Sequence, residues 1–106
     1  MIIAVDFDGT LVHNKYPFIE NPNTELIEWI KANRKKHIFI LWTCRHGKQL
    51  KYATDWLKEQ GIVFDYVNQN CRSKVREFGD TRKIYADVYI DDANLGGYDL
   101  EKLKSL

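Results

Sequence analysis

The stretch IIAVDFDGT, residues 2–10, joins a run of four apolar residues to two aspartates that are separated by one residue. An uninterrupted apolar run suits a strand that is covered on both faces, as in parallel α/β sheets. Residues i and i+2 of an extended chain face the same side, so Asp6 and Asp8 are expected to converge while Phe7 turns into the interior. Gly9 permits a sharp turn out of the strand.

Three more apolar runs occur along the chain, at Ile38–Trp42, Val63–Val67 and Val88–Ile90. Amphipathic patterns between them predict helices, one beginning at the start signal Asn21–Pro22 and one running from about Lys48 to Gln60. This alternation predicts an α/β fold of the Rossmann-like three-layer type. Its sheet is expected to be open and mostly parallel, with helices on both faces.

The remaining segments are short or irregular. A helix between Asn68 and Arg82 is expected to be short or absent, and Asp99 is expected to cap a short last helix. No linker, repeat or low-complexity stretch divides the chain, and 106 residues suffice for one domain. Residues 1–106 are therefore predicted to form a single domain.

The composition argues against several classes of protein. Hydrophobic residues make up 44% of the chain and charged residues 29%, and the net charge is +1, so no strong field attracts nucleic acid or membrane. Cys44 and Cys71 are expected to be reduced thiols, with a disulfide as the less favoured alternative. The short apolar N-terminus lacks a basic region, so a cytoplasmic location without membrane contact is expected.

Polar residues follow other predicted strands at the edge where parallel α/β sheets bind ligands. Thr43, Cys44 and Arg45 follow the second strand, where a hydroxyl, backbone N–H groups and a guanidinium suit phosphate. Asp91 and Asp92 follow the last strand, and hard carboxylate oxygens suit Mg²⁺. Taken singly, Thr43 is also explained as a helix cap, Arg45 as a surface residue, and Asp91 and Asp92 as a helix or turn cap.

The aspartates after the first and last strands are expected to form one acidic cluster, because these strands should end side by side. The cluster comprises Asp6, Asp8, Asp91 and Asp92. Each close pair of like charges costs about 4 kcal/mol at an effective dielectric near 20. A divalent cation together with Lys83 would balance this charge and would let the site accept a phosphate dianion.

The stretch Asp6–Thr10 resembles the DxDGT motif of the haloacid dehalogenase (HAD) superfamily. Thr43 at the end of an apolar strand resembles the second motif of that family, Lys83 the third, and Ile90–Asp92 the fourth. The four occur in the family order and span most of the chain, which therefore looks like a small phosphatase of this superfamily.

The resemblance implies a Mg²⁺-dependent phosphomonoester hydrolase that works through an aspartyl-phosphate intermediate. Asp6 would be the nucleophile and a metal ligand. Asp8 would be the general acid and then the base that activates water, and its backbone carbonyl would touch the metal. Asp91 and Asp92 would complete the metal site.

The resemblance also implies a phosphate site. Thr43 and Lys83 would hold phosphate oxygens, and Lys83 would also hold Asp6 in place. The remaining predicted substrate contacts are Gly9, Cys44 and Arg45.

The position of the third-motif lysine leaves an alternative open. Because the stretch before the last strand is irregular, Lys74 competes with Lys83 for this role, and Lys83 is favoured by its place just before Ile84–Asp87.

Members of the superfamily often carry a cap domain, and this chain has no room for one. Residues 11–21, here called the flap, suit only a short hairpin. An open site implies a large substrate that covers it, or a homo-oligomer whose neighbouring subunit acts as the lid.

The phosphorylated substrate is left open between two classes. The basic stretch Arg72–Arg82, with the flap, would suit a nucleotide or a nucleic-acid end, although a solvated loop is the plainer explanation. The alternative is a small sugar phosphate or nucleotide. Two other kinds of function compete: a signalling module phosphorylated on aspartate, and a non-catalytic phosphate-binding module.

Overall fold

The computed structural model describes residues 1–106 around a four-stranded sheet in which all neighbouring strands are parallel. The strands are β1 (Ile2–Val5), β2 (Ile38–Leu41), β3 (Tyr66–Val67) and β4 (Val88–Ile90), in the order β3-β2-β1-β4. Since β1 lies directly beside β4, the prediction that the first and last strands end side by side is confirmed.

Four helices accompany the sheet: α1 (Thr24–Asn33), α2 (Gly47–Glu59), α3 (Arg72–Phe78) and α4 (Leu100–Leu103). The third is the short helix expected in the irregular stretch. Asp99 caps the last helix as predicted, accepting hydrogen bonds from the backbone N–H groups of the following turn. None of the helices is long and apolar enough to cross a membrane.

Two predicted boundaries were wrong. Helix α1 begins two residues later than expected, because the Asn23 side chain accepts the Leu26 N–H at 3.3 Å while Asn21 lies in the left-handed region at φ 52°. Strand β3 is shorter than the apolar run that predicted it. Val63 is 59% exposed, and Asp65 turns its carboxylate to the backbone of β2 instead of extending β3.

The sheet is buried on both faces, which confirms the predicted three-layer α/β architecture. The larger core places α1, α2 and α4 against the face that carries Ile3 and Val5. On the other face, Ile2 and Ala4 pack against the chain from Cys71 to Ala86. The two cysteines are free thiols, as predicted, one exposed and one buried.

Side chains along β1 point alternately to the two faces of the sheet. This alternation continues past the last residue of the strand and sets the direction of the Asp6 side chain. Phe7 is fully buried in the larger core, as predicted, so Asp6 leaves the strand on the opposite side. The Asp6 N–H donates to the Ile90 carbonyl at 2.9 Å, which keeps the end of β1 against the end of β4.

Candidate functional site

Three carboxylates converge at the carboxyl ends of β1 and β4. One oxygen from each of Asp6, Asp91 and Asp92 lies within 4.8 Å of the others. At that separation each like-charge pair costs about 3.5 kcal/mol at an effective dielectric of 20. No lysine or arginine forms an ion pair with any of the three. Uncompensated hard oxygens in this arrangement fit Mg²⁺ or a similar divalent cation.

The buried Thr10 hydroxyl lies between two of these carboxylates. Its oxygen is 3.1 Å from Asp6 Oδ2 and 3.2 Å from Asp92 Oδ1, and it accepts the Asp92 N–H at 3.0 Å. A hydroxyl has one hydrogen, so it cannot satisfy both acids at once. Thr10 therefore spaces the carboxylates without neutralising them. Thr10 had no predicted role, although its place in the DxDGT stretch was a signal.

The electrostatic surroundings of Asp6 reflect this excess of negative charge. Burial and then the neighbouring Asp91 charge raise the pKa of Asp6 to about 7, although hydrogen bonds from Thr10 and the Phe7 backbone oppose the change. A bound cation would favour the ionised form that a nucleophile needs.

Gly9 is required by close packing against this cluster. It has φ +84°, and a Cβ at this position would lie 2.5 Å from Asp92 Oδ2. Its N–H donates to the Val12 carbonyl at 2.8 Å. The amide of Gly9 is thus engaged within the chain, and the missing side chain leaves the space that Asp92 occupies; a contact between Gly9 and substrate stays a prediction.

The Asp8 side chain lies outside the group of three carboxylates. Arg45 donates to Oδ2 through Nε at 2.9 Å and to Oδ1 through Nη2 at 2.7 Å, and Asn14 donates to Oδ1 at 2.8 Å. The Asp8 carbonyl accepts no hydrogen bond within the chain, so it is free to contact a metal as the resemblance implies.

Hydrogen bonds determine the charge of Asp8. Burial by itself would raise the pKa of Asp8, but the hydrogen bonds from Arg45 and Asn14, with the guanidinium charge, hold it below its ordinary value. The residue is therefore held as a carboxylate, and its role as general acid and then base stays a prediction.

Arg45 was predicted to grip phosphate, and the structure corrects this. Its side chain is fully buried. Besides Asp8, it donates to the Pro17 carbonyl at 3.0 Å and the Gln49 carbonyl at 3.2 Å. Four of its five N–H groups are thus engaged inside the protein, so no pair of N–H groups is left to bind an anion at two points.

The loop after β2 does offer donors to an anion. The Thr43 N–H is held by Asn68 Oδ1 at 2.8 Å, and the Thr43 hydroxyl accepts the Arg45 N–H at 3.1 Å, so its own proton is available. The Cys44 N–H has no partner within the chain, and His46 does not cap the first turn of α2 with its side chain. Asn68, missed in the sequence, positions this loop from the end of β3.

The predicted contact between Lys83 and Asp6 is absent from the structure. Lys83 is exposed and its side chain forms no ion pair, while Lys74 pairs with Glu77 at 2.8 Å. The reason is the direction of the chain: residues 83–87 approach the first residue of β4, whereas Asp6 follows the last residue of β1. Neither candidate lysine is joined to the carboxylates.

The structure thus brings together Asp6, Asp91 and Asp92 as predicted, with the Thr43–Cys44 loop on the neighbouring strand. It places Asp8 beside them in an ion pair and leaves Lys83 apart.

No family model and no curated protein matches the chain. A solved structure does match it, that of a conserved protein from Bacteroides thetaiotaomicron. The two share 38% sequence identity and a TM-score of 0.84, over 97% of this chain and 85% of the other. On this identity and coverage, the chain belongs to the same family as that Bacteroides thetaiotaomicron protein.

Proposed function

We propose that this protein is a Mg²⁺-dependent phosphomonoester hydrolase of the HAD type, with Asp6 as its nucleophile. The observation that carries the proposal is the convergence of Asp6, Asp91 and Asp92 within 4.8 Å at the ends of two neighbouring parallel strands. Like charges gathered without a protein cation are balanced either by a proton on one carboxylate or by a metal ion, and a metal site beside free N–H donors suits a phosphate group.

In the first step, a carboxylate oxygen of Asp6 attacks phosphorus, and the bond from phosphorus to the ester oxygen breaks. Its electrons stay on the departing oxygen, which leaves as an aryloxide or, in an alkyl ester, takes a proton from Asp8 in the general-acid role that the resemblance implies. In the second step, water attacks the phosphorus of the acyl phosphate, which releases inorganic phosphate and restores the Asp6 carboxylate. When bound, Mg²⁺ supplies positive charge against the carboxylates and the phosphoryl oxygens.

Asp8 is proposed as the base of the second step. Both of its oxygens accept hydrogen bonds from Arg45, which keeps the carboxylate in the ionised form that removes a proton from water. A leaving group of low basicity departs without a proton, so an aryl phosphate is a suitable test substrate, whereas the oxygen that leaves an alkyl ester also needs a proton.

The phosphoryl oxygens are proposed to lie against the loop after β2. The Thr43 hydroxyl has a proton to donate, and the Cys44 N–H is unpaired within the chain. Because no lysine is paired with Asp6, these donors and the metal are proposed to bind the negatively charged phosphoryl oxygens.

A non-catalytic phosphate-binding module is the second candidate. The specific observation in its favour is the exposed position of Lys83, because an active site of this type would be expected to hold that ammonium near Asp6. Such a module would bind Mg²⁺ and phosphate without turnover.

The test is release of phosphate from p-nitrophenyl phosphate with and without Mg²⁺. We expect Asp6→Asn, or excess chelator, to reduce the rate by at least about 1,000-fold, the range of loss for a nucleophile. Asp87→Asn is the matched control, since that carboxylate precedes β4 at the other edge of the sheet. Full activity of Asp6→Asn would overturn the mechanism, and Mg²⁺ binding without turnover in the wild type would favour the second candidate.

The substrate class needs a separate comparison of kcat/KM. Nucleotides, sugar phosphates and oligonucleotides with a terminal phosphate form the panel. If oligonucleotides are no better than small esters, the proposed contribution of the basic stretch Arg72–Arg82 is wrong.

A further inference from the structure

We infer that Arg45 is a positioning residue that holds the Asp8 carboxylate and the flap (residues 11–21) as one unit. The coupling itself stands on geometry, and its effect on turnover rests on the proposed function.

The contact between Arg45 and Asp8 fixes an orientation as well as a charge. Two parallel N–H···O bonds, 2.9 Å from Nε and 2.7 Å from Nη2, set the plane of the carboxylate. The guanidinium is buried, and its carbon lies 5.0 Å from the centre of the Phe7 ring. A lysine has one donor atom in place of a fork, so it would not reproduce this orientation.

The same guanidinium also holds the flap. Nη2 donates to the Pro17 carbonyl at 3.0 Å, and the Tyr16 ring centre lies 5.0 Å from the guanidinium carbon. Nη1 donates to the Gln49 carbonyl in the first turn of α2. One side chain therefore connects the flap, the start of α2 and Asp8.

Asn14 provides a second and independent link. Its side-chain amide donates to Asp8 Oδ1 at 2.8 Å and to the Phe18 carbonyl at 2.6 Å. The carbonyls of Pro17 and Phe18 are thus each bonded to a side chain that also holds Asp8. A shift of the flap would move both of these supports.

This coupling gives the flap a role in a site without a cap. Tyr16 is 58% exposed and Phe18 is 68% exposed, so both rings are open to an incoming molecule. A substrate that contacts these rings would act on the segment that orients Asp8. The flap would then transmit substrate contact to the base.

The test compares Arg45→Ala and Asn14→Ala with Arg34→Ala, which removes the other forked arginine–aspartate pair, Arg34–Asp65, at 2.9 and 3.2 Å. Turnover of p-nitrophenyl phosphate and amide hydrogen exchange across residues 13–19 are measured in each. We expect Arg45→Ala to lower kcat about 100-fold with little change in KM, because misplacement of a reacting group affects the chemical step.

We expect Asn14→Ala to lower kcat about tenfold, as it removes a single support. The Phe18 amide, bonded to the Lys15 carbonyl at 3.0 Å, should exchange faster in both site variants and at the wild-type rate in Arg34→Ala. Added guanidinium at millimolar concentration should restore part of kcat in Arg45→Ala, and Arg45→Lys should remain impaired.

Several results would overturn the inference. These are wild-type kcat and exchange in Arg45→Ala and Asn14→Ala, or equal losses in Arg34→Ala. If Arg45→Ala does not fold, Asn14→Ala alone decides. Should the wild type show no turnover, the proposed function fails, and the exchange data still decide whether the flap and Asp8 are coupled.

Discussion

The carboxylates at the two edges of the sheet have opposite surroundings. Asp65 and Asp87 come just before β3 and β4, and each accepts a backbone N–H from a neighbouring segment. Beyond the carboxyl ends of β1 and β4, Asp6 and Asp91 lie close together with no protein cation paired to them. Asp65 and Asp87 are therefore held by donors from neighbouring segments. At the carboxyl edge, Arg45 balances Asp8, whereas the cluster of Asp6, Asp91 and Asp92 keeps an excess of negative charge.

Under the proposed function, this difference separates a structural from a functional use of the same residue type. A satisfied carboxylate stabilises the chain around it, and its removal leaves donors without partners. A cluster of carboxylates without a cation costs stability, and such clusters are typical of binding and catalytic sites. Four predictions test this distinction, from the largest expected effect to the smallest.

Asp91→Asn is expected to lower kcat/KM about 1,000-fold, or about 4 kcal/mol of transition-state stabilisation, at a fixed Mg²⁺ concentration. The reason is loss of a carboxylate that is proposed to bind the metal beside Asp6. Asp65→Asn, the same change at the other edge, should stay within about twofold of wild type, the scale of a substitution remote from the site. Equal losses in both variants would contradict the distinction between the edges.

Mg²⁺ is expected to stabilise the wild type by about 2.7 kcal/mol at a concentration near 100 times its Kd. In a domain of this size that raises Tm by about 10 °C or more in a thermal scan. The double variant Asp91→Asn/Asp92→Asn should show no such rise. Ca²⁺ and Mn²⁺ can be compared in the same scan. A rise in Tm that persists in the double variant would show that the metal binds at another site.

Asp65→Ala is expected to lower the unfolding free energy by about 2 kcal/mol with little effect on kcat. The Phe39 N–H loses its acceptor at 2.8 Å, and Arg34 loses both of its bonds. Urea denaturation provides the measurement. A stability equal to wild type would show that the amino-edge carboxylate is not structural.

Asp87→Asn is expected to cost about 1 kcal/mol at pH 7, the scale of a hydrogen bond to a partly exposed charged group. Hydrogen bonds from the Ile2 N–H and then the Tyr85 hydroxyl hold the pKa of Asp87 below its usual range. The stabilisation is thus present above the unfolded pKa near 4 and is lost as pH falls through the lower folded pKa. Denaturation curves of both proteins at pH 7 and at acid pH should converge at the lower pH; a constant gap would contradict this account.

The convergence of the acidic residues was easy to predict from the sequence, and the residues that hold Asp8 were not. Asp6 and Asp91 follow apolar runs, and parallel strands bring their carboxyl ends to one edge, so local pattern and topology suffice. The partner of Asp8 is Arg45, which is 37 residues away. From the sequence, Arg45 after β2 could either bind phosphate or form an ion pair. Its burial in the folded protein places it against Asp8.

Smaller errors have the same origin. Asn21 and Asn23 are both good helix caps by residue type, and the left-handed backbone at Asn21 left the capping role to Asn23. Lys83 had the right place in the order of motifs, but order along a chain does not say which edge of the sheet a side chain reaches.

The amino-acid sequence by itself determined the parallel α/β sheet, the inward turn of Phe7 and the convergence of Asp6 with Asp91 and Asp92. The sheet type and the turn of Phe7 depend on the period of a strand and on apolar runs, which are local properties. The convergence also depends on the order of the strands, which places β1 beside the distant β4. Only the tertiary structure decided that Arg45 is buried against Asp8 and the flap and that Lys83 is exposed. Such pairings depend on burial and on donor geometry between distant segments, which no local pattern specifies.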